Sequence, residues 1–213
     1  MAKYKSLKDH VYEYISRKIQ NAELMPNQKL NENDICAELE ISRTPAREAL
    51  IQLASEDLIE YIPRKGFFVK EFDNKRKIDL YTVLAALDAL AATLAVEFIK
   101  DPDILNMEEL VEQMGIAIKY KNQAKYINYQ DEFHETYLKL CNNETLMNTV
   151  NSMKFSFVRH AYISEDDEKL FAAMGQLNDE HRQIVELFKK RDKDGLEMIL
   201  KKSHWEAKYV DMI

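Results

Sequence analysis

The chain has 213 residues, 46% of them apolar and 31% charged, which leaves room for a real core and excludes the disordered and fibrous classes. Two cysteines, Cys36 and Cys141, exclude a disulfide framework and fit a reducing cytosol. The net charge of −7 excludes a uniformly basic nucleic-acid binder, but residues 1–72 carry 11 basic against 12 acidic side chains and the rest 19 against 25, so the acidity sits in the second part. Only four Gly and four Pro leave few turns, and long helices should dominate. The opening MAKYKSLKDH has no apolar signal core, and no run approaches about 18 consecutive apolar residues. The expected location is therefore cytoplasmic, with no membrane partner.

In chain order, residues 6–21 read as a helix with Val11, Tyr14, Ile15 and Ile19 on one stripe, ended by Asn21. Leu24-Met25-Pro26-Asn27 is a turn, and a short helix runs from about Asn31 to Leu39 with Ile35, Cys36 and Leu39 inward. The stretch Ile41-Ser42-Arg43-Thr44-Pro45-Ala46-Arg47-Glu48-Ala49-Leu50 opens the next helix. Ser42 suits an N-cap, because its hydroxyl can accept a first-turn amide, and Pro45 is tolerated near the start. Ala49, Leu50, Leu53 and Leu58 give the apolar stripe, while Arg43 and Arg47, four apart, share the other face with Thr44 beside them. Two helices joined by so short a link have helix-turn-helix spacing, and a helix led by two arginines and a hydroxyl suits a DNA major groove. Next, two β-prone runs flank Pro63-Arg64-Lys65-Gly66, a hairpin whose tip would carry Arg64 and Lys65 to phosphates and bring the Gly66 backbone close to DNA.

Phe72-Asp73-Asn74-Lys75 reads as a linker, after which strands stop. A helix over 75–100 carries Ile78, Tyr81, Val83, Leu84, Leu87, Leu90, Leu94 and Phe98, and Asp101-Pro102 breaks it. Helices over 103–121, 123–141, 143–163, 166–191 and 193–210 follow, with the acidic run Glu165–Glu168 as a helix start favoured by the dipole. The expected fold is thus mainly α: an N-terminal winged helix-turn-helix with a small β-hairpin wing over 1–72, and a C-terminal all-α bundle of about six helices over 73–213.

Four of the five histidines lie in the bundle. Gln130 and Asp131 precede His134 by four and three residues, so either can share a helix face with it. His181 and His204 are centred on the turn Asp192-Lys193-Asp194-Gly195, which puts them level in an antiparallel hairpin about 17 Å from the turn. With His134 they could bind a divalent transition metal, or each could be satisfied by ordinary hydrogen bonds. His10 and His160 have no such support.

Residues 8–70 resemble the winged helix of GntR-superfamily regulators, through Leu30-Asn31-Glu32, the Ser42–Leu50 string and Gly66. The helical remainder resembles the effector domain of the FadR subfamily (the FCD type), through Phe133-His134, Glu180-His181 and His204. The resemblance implies a homodimer on a palindromic operator, with a small-molecule effector, often an organic acid, seated above one divalent metal (Zn, Ni or Mn) per chain. Repression is the commoner mode in that family. Arg43, Thr44, Arg47 and Gly66 match its DNA-contact positions. Three positions depart: Asn33 and Leu84 stand where the family has Arg, and Gln130 where it has a metal-binding Asp or Asn. Leu84 and Gln130 keep open a metal-free regulator with an apolar effector. A metal-dependent enzyme is the third reading, but no catalytic residue is assigned: there is no placed general base, Gly-rich phosphate loop or nucleophile motif.

Overall fold

The computed structural model describes residues 6–20, 23–56, 58–70, 74–157 and 166–206. Two compact units, 1–72 and 73–213, divide the chain.

The first unit begins with α1 (Leu7–Gln20), which buries Val11, Ile15 and Ile19 at helical spacing. Strand β1 (Lys29–Leu30) leads into α2 (Glu32–Glu38), where the Asn31 side chain accepts the Asn33 amide as N-cap. Of the three inward residues expected on α2, Ile35 is buried, and Cys36 and Leu39 are half-buried. Helix α3 (Arg43–Ser55) buries Ala46, Ala49, Leu50 and Leu53. Leu58 is fully buried but lies beyond the end of α3, so the apolar stripe is led by Ala46 and does not extend to Leu58.

Ser42 stands at the N-cap with extended backbone, yet its hydroxyl makes no capping bond. Pro45, the third helical residue, has no N–H and removes one of the two amides that usually donate to a capping side chain. Strands β2 (Ile59–Ile62) and β3 (Gly66–Val69) pair antiparallel with Ile62 opposite Gly66. The sheet order is β1-β3-β2, so the wing gains a third strand that the sequence does not advertise, with Leu30 opposite Phe67.

The second unit is helical: α4 (Asn74–Ala95), α5 (Asp101–Lys119), α6 (Gln123–Leu140), α7 (Glu144–Phe157), α8 (Asp167–Lys190) and α9 (Lys193–Ile199), continued by a π-helical turn over Leu200–His204. Asn74 and Lys75 belong to α4 rather than to a linker, while Phe72 and Asp73 lie outside the described residues. Helix α4 ends at Ala95, five residues earlier than expected. Pro102 opens α5 instead of breaking α4, since its missing N–H costs nothing in a first turn. Asn21, His160, Glu165, the end of the expected 143–163 helix and the tail after Glu206 lie outside the described residues.

Helix α4 packs against α6, α7, α9 and the π turn. Its Ile78–Ala95 stretch, of mean hydropathy 1.6, has the length and composition of a membrane span, but here it supplies the core of the unit through Tyr81, Leu84, Ala85, Ala89, Ala91, Ala92 and Ala95. Ile78, Val83, Leu90 and Phe98, expected on its apolar stripe, are exposed. Asp166 caps α8 by accepting the Glu168 and Lys169 amides, as the acidic run predicts. Arg191 then ends α8 in the left-handed region, and Asp192 caps α9 through the Gly195 amide. This corner folds α9 back beside α8.

Candidate DNA-reading helix and metal centre

In the first unit Arg43, Thr44, Arg47 and Ser42 are all exposed at the start of α3, on the side away from the buried alanines and leucines. The Arg47 guanidinium lies 3.9 Å from the half-buried Glu32 of α2, a long, partly exposed pair that adds little to the stability of the fold. The far end of α3 is held by Tyr12, whose hydroxyl donates to Glu56 at the C-cap. At the wing, the Lys65 amide donates to the Ile62 carbonyl, with Pro63 and Arg64 between them. Arg64 (φ +67°) and Gly66 (φ +100°) both sit at positive φ, and at Gly66 any side chain would be strained. Arg64 and Lys65 are exposed at the tip. Lys29, which the sequence reading passed over, crosses from β1: its Cε lies 3.7 Å from where a Gly66 Cβ would stand. Only strand pairing reveals it, since 36 residues separate the two.

In the second unit His134 of α6, His181 of α8 and His204 of the π turn are all buried, and their ligand atoms lie within 4.8 Å of one another. His134 Nε2 is 3.3 Å from His181 Nε2 and 3.1 Å from His204 Nε2. A metal bonded to imidazole at about 2.0–2.1 Å holds adjacent donors about 3.0 Å apart in octahedral and about 3.4 Å apart in tetrahedral geometry. The donor set and its spacing therefore fit a divalent transition ion. The level placement of His181 and His204 is what the hairpin arithmetic predicts; their ring centroids are 4.6 Å apart. Gln130 is buried one turn before His134. Asp131 is half-buried and its carboxylate is not among the converging atoms, because one residue turns a helical side chain by about 100°.

Behind the histidines stand residues that the sequence reading did not assign to the site. Asp88 of α4 is fully buried, and its Oδ2 accepts from Tyr137 Oη at 2.8 Å and Trp205 Nε1 at 2.9 Å, with His134 Nδ1 at 3.1 Å. Glu180 Oε2 lies 3.2 Å from His204 Nδ1. Burial, reinforced by Asp88, pushes the Tyr137 phenol well above its ordinary pKa, so it remains a donor. Phe133 closes one side, its ring edge-on to His181 at 4.7 Å. Leu84, one turn before Asp88, is buried.

Residues 79–205 match the FCD domain family, and residues 7–69 match the bacterial regulatory proteins of the gntR family. The chain belongs to the GntR family. This GntR protein is a transcriptional regulator with a GntR DNA-binding domain and an FCD domain, from a family of regulators rather than enzymes. It is 25% identical over 187 residues to the HTH-type transcriptional repressor RspR of Escherichia coli K12, covering 88% of this chain and 81% of RspR. It is 29% identical over 168 residues to the gluconate operon transcriptional repressor of Bacillus subtilis 168, covering 77% and 68%. The fold is shared with McbR/YncC of E. coli, at TM-score 0.76, 21% identity and coverage of 98% and 95%. It is shared as well with a GntR regulator from Rhodococcus sp. RHA1, at TM-score 0.77, 18% identity and 98% coverage of both chains.

Proposed function

We propose that this GntR protein is a cytoplasmic, ligand-responsive repressor of the FadR subfamily, binding a palindromic operator as a homodimer. Arg43, Thr44 and Arg47 read base edges, and Ser42, Arg64, Lys65, Lys29 and the Gly66 backbone meet phosphates. The uncapped Ser42 hydroxyl is free for that contact. His134, His181 and His204 hold one divalent transition metal (Zn, Ni or Mn), with buried Gln130 beside them on α6, and an organic acid completes the coordination. The metal supplies a Lewis-acid anchor for the effector. An effector that prefers one arrangement of the two half-site readers shifts the dimer toward it and so changes DNA affinity.

The observation that carries this reading is the convergence of three buried Nε2 atoms at 3.1 and 3.3 Å. The repressor names of RspR and of the gluconate operon relative support the mode of action, and the latter supports an organic acid. Buried Leu84, where an Arg would clamp a carboxylate, favours the second reading, a metal-free regulator with an apolar effector.

Native mass spectrometry of protein purified without chelator tests both. A dimer with one metal per chain, lost in His134→Ala, supports the first reading. A metal-free dimer that still selects a symmetric site from genomic DNA supports the second, and a chain without sequence-preferring binding at moderate salt overturns both.

A further inference from the structure

We propose that Asp88 is a positioning residue of the metal centre: it sets the tautomer of His134 and ties the chain after α9 to the same ligand. The inference rests on the metal reading above and adds to it a residue on a different helix, outside the converging histidines.

The hydrogen bonds dictate the tautomer. His134 Nδ1 faces two groups, Asp88 Oδ2 and the Tyr137 hydroxyl. The hydroxyl has one proton, and it points to Asp88 Oδ2. Neither group can therefore donate to Nδ1, so Nδ1 carries the proton and donates. The His134 Nε2 lone pair is then directed toward His181 and His204, where a ligand atom is needed. A carboxylate behind a ligating imidazole orients the ring and makes it a stronger donor.

The same oxygen takes the Trp205 Nε1 proton. Trp205 follows His204 directly, and consecutive residues on a regular helix diverge by about 100°. Here the π turn over Leu200–His204 lets the His204 imidazole and the Trp205 indole reach the same centre, from a segment where such turns often mark function. Asp88 thus joins α4, α6 and the last described turn through one atom. Glu180 stands behind His204.

The test uses the full-length protein and Zn²⁺ in competition with a chromophoric chelator. Asp88→Asn keeps the size and removes the charge; affinity should fall about ten- to hundredfold with helical content unchanged. Tyr137→Phe deletes a hydrogen bond in the same network but leaves the Asp88–His134 bond, and should cost less than Asp88→Asn. A purely structural Asp88 predicts the reverse or equality. Long-range ¹H–¹⁵N spectra of metal-free protein give an independent readout: His134 should be the Nδ1–H tautomer in the wild type and lose that preference in Asp88→Ala. Wild-type affinity in Asp88→Asn, or an Nε2–H tautomer in the wild type, overturns the proposal. Absence of zinc binding by the wild type, with the Nδ1–H tautomer present, overturns the metal reading and leaves Asp88 as the tautomer-setting residue of a metal-free pocket.

Discussion

Arg191, the last residue of the α8 cap, reaches back with its guanidinium to the carbonyls of Val96 and Ile99, at 2.6 and 3.3 Å, and so pins the α8–α9 corner to the end of α4. That corner sets the register in which His181 and His204 face each other. Gly195 is its tightest point. A Cβ there would stand 2.5 Å from Leu187 Cδ2 and 2.6 Å from the Asp192 carboxylate, the group that caps α9. Gly195→Ala should therefore displace the cap, costing about 1–2 kcal/mol by thermal or denaturant unfolding. Affinity for the proposed metal should fall with it, because this corner keeps His181 and His204 level. Unchanged affinity in a destabilised variant would show that the bundle, not the corner, holds the register.

Most of the fold is legible in the sequence, and the failures are instructive. Helix identity follows from stripes such as Val11-Ile15-Ile19. Level histidines follow from counting residues to a turn. What fails is what depends on a partner distant in sequence or on a single missing atom. β1 is two residues long and exists only because β3 offers it an edge. Ser42 has the identity of a cap but makes no capping bond, and Pro45 removes one of the two amides that could have supplied it. In the site His181 and His204 are paired by counting to a turn and His134 comes from its helix-face neighbours and the family resemblance, whereas Asp88 is 46 residues from His134 and 117 from Trp205, and looks in sequence like a polar break in an apolar helix.

The proposed DNA face divides by charge and position into readers and anchors, and salt dependence would separate them. Lys29→Ala and Lys65→Ala each remove a cation at the wing tip. Each should weaken binding to every sequence alike and lower the slope of log affinity against log salt by about 0.9. Arg43→Ala and Arg47→Ala should cost about 1–3 kcal/mol on the operator and relax base preference at one position of each half-site. Fluorescence anisotropy over a salt series, on operator and on scrambled DNA, measures both. A Lys29→Ala variant with an unchanged slope would remove Lys29 from the interface.

Glu32 faces Arg47 at 3.9 Å, beside the proposed reading face. Glu32→Gln frees the guanidinium from that pair. Because so long and partly exposed an ion pair adds little stability, the melting temperature should hold while nonspecific DNA affinity rises. A lower operator preference in the same variant would show that the pair also aims Arg47.

Tyr12 and Tyr81, like the Tyr137 phenol of the bundle, contribute to an alkaline limit of the fold. Tyr12 is raised above its ordinary pKa by burial and then by the Glu56 carboxylate that accepts its proton, and Tyr81 by burial alone. A phenol with a raised folded pKa contributes stability that is complete below the unfolded value of about 10 and is lost as pH rises through the folded value. Stability should thus be insensitive to these groups at neutral pH and decline above about pH 10. Tyrosinate absorbance should show both phenols silent until the fold opens. Tyr12→Phe should flatten the alkaline decline, and a Tyr12 that titrates normally in the folded protein would refute the shift.

Trp205 is the only tryptophan in the chain, and its indole ring lies 5.5 Å from the His134 ring and donates to Asp88. Intrinsic fluorescence therefore reports on the proposed metal centre without a label. Ni²⁺, with unpaired electrons, should quench it on binding, and excess Zn²⁺ should reverse the quenching by displacement. His134→Ala removes the ligand atom common to both short Nε2 contacts and should abolish saturable quenching while the folded baseline persists. Saturable quenching that survives in His134→Ala would place the metal elsewhere, and would leave the three imidazoles as a hydrogen-bonded core of the bundle.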